Sequence, residues 1–358
     1  MKPILTICYF SYNDSTYWAP VVQELLLLKE DRFRIVVQDN ASTDNSDQIA
    51  SQINDPRFIY RKNPNNLGSS LNIIAALSDN KSVYCLLMMA RDRILGMTLL
   101  KFIDFLENQN PDYGNCSLWG EKKDYTFCNY ASGVSSLLQS YNSRHPSGYF
   151  WKTEILNQTL QNINFNKYST FDFIYELING PIGCDYAFTH VNYPLIETFD
   201  ARKDVPDRKS YFTVENNFKH APQRINTLNI FIYQVYNSSL NKKDKKYLSK
   251  KLINKYCEKV TYLYFLILKA GDKHYGLDPR KVTLSEMKKN LKLLITTLDK
   301  ETSSYIDTDM QKEIISEALK FKRNFYYWFY YRIVKDKMIK EFKKFKIMIS
   351  RMIILLHK

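Results

Sequence analysis

The chain has 358 residues, 45% of them hydrophobic and 15% aromatic, so it can bury a large core and is not a disordered protein. Its net charge of +14 is unevenly distributed: residues 241–358 contain 29 Lys and Arg against 13 Asp and Glu, and residues 1–240 contain 22 against 24. The positive excess therefore belongs to the last third. Because no recognition motif accompanies it, we expect no nucleic-acid partner.

The cysteines and the apolar runs indicate the compartment. The six cysteines are widely spaced and form no Cys-x-x-Cys pair, which predicts a reducing environment and no zinc site. No apolar run approaches the ~18 residues that a membrane span needs, and the N-terminus has no small-residue cleavage site. We therefore expect a cytoplasmic protein that is not integral to a membrane.

The first hundred residues alternate between strand and helix patterns. The predicted elements are strand 4–10, helix 19–28, strand 34–37, a helix capped within 42–46, strand 57–60, loop 63–68, helix 70–77 and strand 83–89. Strands separated by helices predict a parallel sheet with right-handed crossovers.

Polar clusters follow the first, second and fourth predicted strands. They are the segments 11–14, 38–40 and 91–93, the last of which reads Arg91-Asp92-Arg93 after an apolar run. In open parallel sheets, ligands bind beyond the carboxyl ends of the strands. We therefore expect one ligand site where these clusters meet.

Four segments carry a family resemblance. In order, "CYFSYNDSTYW", "VVQDNASTDNS", "NPNNLGSSLN" and "LLMMARDRIL" resemble the nucleotide-binding half of family 2 glycosyltransferases with the GT-A fold, over about residues 3–100. The resemblance implies an α/β fold, a Rossmann-like and mostly parallel sheet flanked by helices, with a C-terminal helical extension. We expect a catalytic domain at 1–212, divided at about residue 100 into nucleotide and acceptor halves, and a basic helical region at 213–358.

The resemblance also implies which residues bind the nucleotide-sugar donor. Asp39 would hold the base from a fixed strand end, and Asn66, Gly68 and Asn72 would approach the ribose or the diphosphate. The turn after the first strand adds Ser11, Tyr12 and Asn13. The alternative is that Asp39 is a turn or capping residue and that the Asn66–Gly68 segment is an ordinary loop.

The charged end of the fourth strand resembles a metal motif with one acid missing. The family's second Asp usually binds a divalent cation that bridges the donor diphosphate; Asp92 occupies that position and Ala90 the position of the first Asp. One interpretation is that Mn²⁺ or Mg²⁺ binds through Asp92 and the phosphates. The others are that Arg91 or Arg93 meets the diphosphate directly, or that the site is degenerate.

The central segment is predicted to supply the acceptor side. Residues 144–152 resemble the Gly-containing turn and aromatic strand that precede the acceptor helix. In the family, an Asp at the start of that helix is the general base of inverting enzymes, and Asp172, with Gly183 eleven residues later, matches it. Phe171 replaces the preceding acid, and Glu176 is the reserve candidate. Helix capping is the alternative role of Asp172.

The end of the chain predicts a basic amphipathic helix. Its apolar stripe comprises Met338, Phe342, Phe345, Ile349, Met352 and Leu356, with Lys and Arg on much of the remaining surface. Such a helix binds anionic lipid. The alternatives are packing on the catalytic domain and a homo-oligomer formed through these helices.

Together these features predict an inverting glycosyltransferase. We expect it to move a sugar from a nucleotide donor, a UDP-sugar, to a lipid-linked saccharide at the inner face of the plasma membrane. It resembles enzymes of bacterial capsule or O-antigen synthesis. The competing hypothesis is a catalytically degenerate binding or scaffold protein, because two acids of the family pattern are replaced, at Ala90 and Phe171.

Overall fold

The structure, a computed structural model, describes residues 2–118, 124–140, 145–163, 174–199, 221–270, 284–304, 306–320 and single positions between 323 and 341. The strands are β1 (Leu5–Ser11), β2 (Phe33–Asp39), β3 (Phe58–Lys62), β4 (Tyr84–Met89), β5 (Arg93–Ile94), β6 (Tyr113–Cys116), β7 (Phe127–Tyr130), β8 (Tyr149–Lys152), β9 (Phe188–Val191) and β10 (Ile196–Glu197). The helices are α1 (Ser15–Leu26), α2 (Ser46–Ser51), α3 (Gly68–Leu77), α4 (Gly96–Gln109), α5 (Val134–Ser140), α6 (Thr153–Asn162), α7 (Ile174–Asp185), α8 (Ala221–Asn237), α9 (Lys242–Ala270), α10 (Leu284–Thr302) and α11 (308–320).

One eight-stranded sheet organises the first part of the chain. Its strand order is β3-β2-β1-β4-β8-β6-β9-β7, and β5 with β10 forms a separate antiparallel pair. The strands β1 to β4 are parallel, with helices between them, which confirms the predicted sheet. The register of β1 with β2 runs from Leu5 opposite Phe33 to Ser11 opposite Asp39.

The topology brings many loops to one edge of this sheet. Because β8 is antiparallel to β4 and β6, β9 is parallel to β6, and β7 is antiparallel to β9, the starts of β7 and β8 lie beside the ends of the parallel strands. We call this edge the rim. It comprises residues 11–15, 39–46, 62–68 and 89–92 on one half and residues 115–117, 124–127, 145–148 and 190–192 on the other.

The core explains why the strands and α1 occupy these places. The strands β1, β2 and β4 are buried almost throughout, as expected for parallel strands covered on both faces. On α1, Trp18, Val22 and Leu25 are fully buried, and the Trp18 ring stacks on Phe58 with centroids 6.2 Å apart. The start of α1 is thereby fixed next to the end of β1.

The chain divides into two compact units. The first comprises Met1–Lys209 with Gln234–Leu248, and the second comprises Ser210–Tyr233 with Ser249–Lys358. Within the second, α9 and α11 are linked by an ion pair of Lys250 with Glu313 at 2.5 Å. No helix in the described ranges combines the length and the apolar character needed to cross a membrane. Apart from Met338, which is exposed, the predicted apolar stripe lies outside those ranges.

Candidate functional site

The loops after β1 and β2 are fastened to each other at the rim. The backbone N–H of Asn13 donates to Ser42 Oγ at 2.8 Å, and the N–H of Thr43 donates back to Asn13 Oδ1 at 2.8 Å. The N–H of Ser15 donates to Asp44 Oδ2 at 3.0 Å, which ties the first turn of α1 to the same loop. Asn13 is left-handed, with φ 54°, a conformation that Asn tolerates better than most residues. The two predicted ligand loops therefore form one rigid unit.

Asp39 lies beneath these loops. Its side chain is fully buried; Oδ2 accepts the N–H of Ser42 at 3.0 Å and Oδ1 accepts the Ser42 hydroxyl. The Nζ of Lys62 is 4.0 Å from Oδ2. The turn-forming role of Asp39 is thus present in the structure, whereas its contact with a base stays a prediction.

A network of buried amides connects β2, β3 and α3. Gln38 Nε2 donates to Asn63 Oδ1 at 2.8 Å, and Asn63 Nδ2 donates to Asn40 Oδ1 and to Asn72 Oδ1, both at 3.0 Å. Asn40 Nδ2 then donates to Asn66 Oδ1 at 2.8 Å. A satisfied buried network of this kind holds the loops in one arrangement. Sequence reasoning selected Asn66 and Asn72 but missed the other three, for which the dense Asn and Gln content of both segments was the available signal.

The predicted donor residues fall into two layers. Tyr12, Asn13, Asn66 and Gly68 are exposed at the rim. Below them lie the buried Ser11, Asp39 and Asn72, and Asn72 Nδ2 donates to the carbonyl of Ser11 at 3.2 Å. The first layer is exposed, and the second lies directly beneath it.

Gly68 has a backbone conformation that favours glycine. Its φ is +80°, and a Cβ built there would meet no atom within 4 Å. The conformation, not crowding, therefore explains this glycine, and the space beside it is open to a ligand.

Arg91 holds the start of α1. Its Nε donates to Asp14 Oδ1 at 2.8 Å, its Nη2 lies 2.7 Å from the same oxygen, and its guanidinium lies 5.0 Å from the Tyr17 ring centroid and 5.6 Å from that of Phe199. Arg91 is buried, at 8% exposure. Burial raises the pKa of Asp14, and the neighbouring Arg91 opposes that rise.

Arg93 is also paired with carboxylates. Its Nη2 is 2.5 Å from Glu24 Oε2 on α1, and its Nη1 is 4.0 Å from Glu197 Oε2 on β10. With Arg91 bound to Asp14, both guanidinium groups cross-link elements of the fold. This arrangement favours a structural role over the predicted diphosphate clamp.

Asp92 is enclosed by protein donors. It is fully buried; Oδ1 accepts the N–H of Phe199 at 2.7 Å, and Oδ2 accepts the hydroxyl of Ser147. Mg²⁺ and similar cations need several oxygen ligands in open geometry. Over the part of the chain that the structure describes, no group of three or more His, Cys, Asp or Glu side chains is placed to hold a metal ion. Among these residues Asp92 is therefore a single carboxylate that already accepts protein hydrogen bonds, and Mn²⁺ or Mg²⁺ there would take its other ligands from the donor phosphates and water.

The predicted acceptor half is described in part. Asp172 and Phe171 lie outside the described residues. Glu176 is on the first turn of α7 and is buried, at 6% exposure. Gly183 lies near the end of α7, where a Cβ would come within 2.7 Å of the Tyr113 hydroxyl, so this glycine serves close packing of α7 on the sheet.

A second polar chain, missed by sequence reasoning, crosses the ends of β6, β9 and β7. His190 Nδ1 is 2.7 Å from Asn115 Oδ1, and its Nε2 is 3.2 Å from Ser117 Oγ. These hydrogen bonds continue to Asn192, whose Oδ1 accepts the Ser117 hydroxyl and whose Nδ2 donates to Thr126 Oγ1 at 2.9 Å. These residues are far apart in sequence, and no local motif marked them.

Comparison with known families gives a match that includes most of the rim. Residues 6–171 match the family described as "Glycosyl transferase family 2", which is somewhat under half of the chain. The segment is thus similar to family 2 glycosyltransferases, in agreement with the sequence resemblance. A search of curated proteins found no match.

Solved structures agree on the fold. The crystal structure of S. aureus TarS 1-349 is 14% identical with a TM-score of 0.59, and the alignment covers 91% of each chain. The same segment in complex with UDP-GlcNAc is 15% identical with a TM-score of 0.58 and the same coverage. A longer S. aureus TarS structure gives 14% identity and a TM-score of 0.54, over 90% of this chain and 53% of that one. The structural similarity establishes the GT-A fold. Because the sequence identity is low, it does not establish the substrates.

Proposed function

We propose that the family 2 domain makes this chain a glycosyltransferase that moves a sugar from a UDP-sugar donor to a saccharide acceptor. The observation that carries the proposal is the match over residues 6–171, which contains the rim residues at the ends of β1 to β4. UDP as the nucleotide rests on the shared fold of the TarS structure that is in complex with UDP-GlcNAc.

The exposed and the buried residues of the rim have different roles in donor binding. The exposed Tyr12 and Asn13 contact the base and ribose from one side, and Asn66 and Gly68 approach from the other. The carboxylate of Asp39, held by Ser42, accepts the N–H of a uracil edge. The amide network beneath them keeps these positions fixed in the absence of ligand, which reduces the entropy lost on binding.

The transfer itself requires a base on the acceptor side. In an inverting displacement, the acceptor hydroxyl attacks the anomeric carbon, the bond from that carbon to the diphosphate breaks, and a carboxylate takes the hydroxyl proton. Asp172 is our candidate for this carboxylate, and Glu176, one turn into α7 and close to it in sequence, is the reserve.

The basic last third supports a membrane-linked acceptor. We place the protein in the cytoplasm, on the inner face of the plasma membrane, with a lipid-linked saccharide of surface polysaccharide synthesis, capsule or O-antigen, as acceptor. The positive excess of residues 241–358 attracts anionic lipid, and the amphipathic tail adds apolar contact. The same helices also suit a homo-oligomer.

A thermal-shift screen against nucleotides and nucleotide sugars tests the proposal, because a ligand that binds only the folded state raises its melting temperature. We expect UDP and at least one UDP-sugar to raise the melting temperature of the protein. We also expect the protein to release the sugar from that UDP-sugar. A non-catalytic binding protein is the second candidate, favoured by Ala90 and Phe171. It predicts stabilisation without any sugar release or transfer.

A further inference from the structure

The turn before β8 is anchored to the end of β4. Ser147 Oγ accepts the N–H of Met89 at 2.8 Å and donates to the buried carboxylate of Asp92. The N–H of Gly148 donates to the carbonyl of Leu87 at 2.9 Å, and Gly148 is left-handed, with φ +99°. Residues 145–148 are thus held in one conformation at the rim, between the parallel strands and the acceptor half.

This turn orients the ring of His145. The N–H of Ser147 donates to His145 Nδ1 at 3.2 Å, and the same nitrogen lies 3.6 Å from Asp92 Oδ2. A ring that accepts at Nδ1 carries its proton on Nε2 when neutral. The His145 side chain is 26% exposed, whereas Asp92 behind it is fully buried. The hydrogen bond at Nδ1 therefore fixes the orientation of the ring, and part of the ring is open to solvent.

We propose that His145 is a donor-binding residue whose Nε2–H donates to an oxygen of the donor diphosphate, with Ser147 as its positioning residue. This inference rests on the proposed function. It follows from the orientation of the ring at the rim, because the N–H of Ser147 occupies Nδ1 and Nε2 then carries the proton of the neutral ring. His145 precedes β8, and only β4 lies between β8 and β1, whose loop carries the exposed Tyr12 and Asn13.

The chemistry of the leaving group suits a fixed N–H. When the bond between the sugar and the diphosphate breaks, negative charge grows on the diphosphate oxygens. A donor that is already oriented stabilises this charge without reorganising during the reaction.

Isothermal titration of UDP and of UMP, in buffer with EDTA, tests the proposal on the full-length protein. We expect His145→Ala to weaken UDP binding about tenfold, the size of one hydrogen bond to a charged group, and UMP binding much less. His145→Gln places an amide N–H near the position of Nε2 and should recover most of the UDP affinity. The matched control is Gln158→Ala, an exposed residue on α6 away from the rim, which should leave UDP affinity unchanged.

The outcomes separate this inference from the proposed function. Wild-type protein that binds no nucleotide either in EDTA or with added Mn²⁺ removes both, and binding that requires Mn²⁺ overturns only the role of His145. Wild-type protein that binds UDP, together with an unchanged UDP affinity of His145→Ala, overturns only the role of His145. Equal losses for UDP and UMP also overturn it, because the effect is then not on the second phosphate. A large fall in melting temperature in both His145 variants would instead assign the residue to the fold.

Discussion

The charged residues that follow β4 all have partners within the fold, and their contact with a ligand stays a prediction. Arg91 pairs with Asp14, Arg93 with Glu24, and Asp92 accepts bonds from Ser147 and Phe199, so each charge has a protein partner. Their positions at the rim were predictable from the strand pattern. Their partners were not, because pairing depends on contacts between residues that are distant in the chain.

Arg91→Ala tests the pair with Asp14. Removing one partner of a buried ion pair should lower the free energy of unfolding by about 3 kcal/mol near neutral pH. Burial already raises the pKa of Asp14 and Arg91 opposes it, so without Arg91 this pKa should rise further. As the pH falls through that pKa, Asp14 becomes neutral and no longer needs a counter-charge, so the penalty should shrink. Urea denaturation of both proteins at several pH values measures this, and a penalty independent of pH contradicts it.

Asp39→Ala tests the carboxylate beneath the rim. Because Asp39 accepts two hydrogen bonds from Ser42, its loss should lower the free energy of unfolding by about 1–3 kcal/mol in addition to weakening nucleotide binding. Asp39→Asn keeps the size and one acceptor, and it should be the milder variant. Chemical denaturation and nucleotide titration distinguish the two effects; an unchanged nucleotide affinity would remove Asp39 from the donor site.

At the scale of elements, sequence reasoning succeeded where apolar runs are long. The strands β1, β2 and β4 were predicted because each is a nearly continuous buried run, and β3 was predicted from its short apolar run although it is only partly buried. It did not find β6, β7 or β9, which are four residues each, nor the two-residue β5 and β10. Short strands with mixed composition, such as Tyr113–Cys116 with its Gly and Asn, form through pairing with neighbours and leave little local signal.

Gly114 in β6 tests this pairing. A Cβ at this position would lie 1.9 Å from the carbonyl oxygen of Thr189 and 2.7 Å from the Phe150 ring, so Gly114→Ala must separate β6 from β8 or β9. We expect a loss of about 3 kcal/mol or more in the free energy of unfolding. Gly68→Ala, which meets no atom but must adopt a positive φ, should lose about 1 kcal/mol. Thermal denaturation ranks the two, and a reversed order would contradict this account of the sheet.

At the scale of the whole chain, the positive excess and the family 2 match occupy different regions. Residues 1–240 are close to neutral and contain the family 2 match, and residues 241–358 contain the positive excess. The sequence established this division, since it requires only counting. It could not establish what the basic region contacts, because lipid, protein and a second copy all suit a basic amphipathic helix.

Deleting residues 338–358 tests membrane contact. The intact protein should sediment with anionic liposomes at low salt, and the shortened protein should lose most of this binding because the apolar stripe is removed. Added salt should weaken intact binding only in part, since screening acts on charges and not on apolar insertion. Transfer to a short soluble acceptor should persist in the shortened protein. Failure of the intact protein to sediment at low salt would rule out the membrane proposal.

The buried amides beneath the rim also affect how the protein ages. Asparagine converts slowly to aspartate when the next backbone nitrogen attacks the side-chain carbonyl. Asn63 is followed by Pro64, which has no N–H to take part. Asn63 Nδ2 donates to the side-chain oxygens of both Asn40 and Asn72, so a carboxylate there would place oxygen against two acceptors. Deamidation of this central amide would therefore damage the network and is chemically hindered, which favours a long storage life for the loops of the rim.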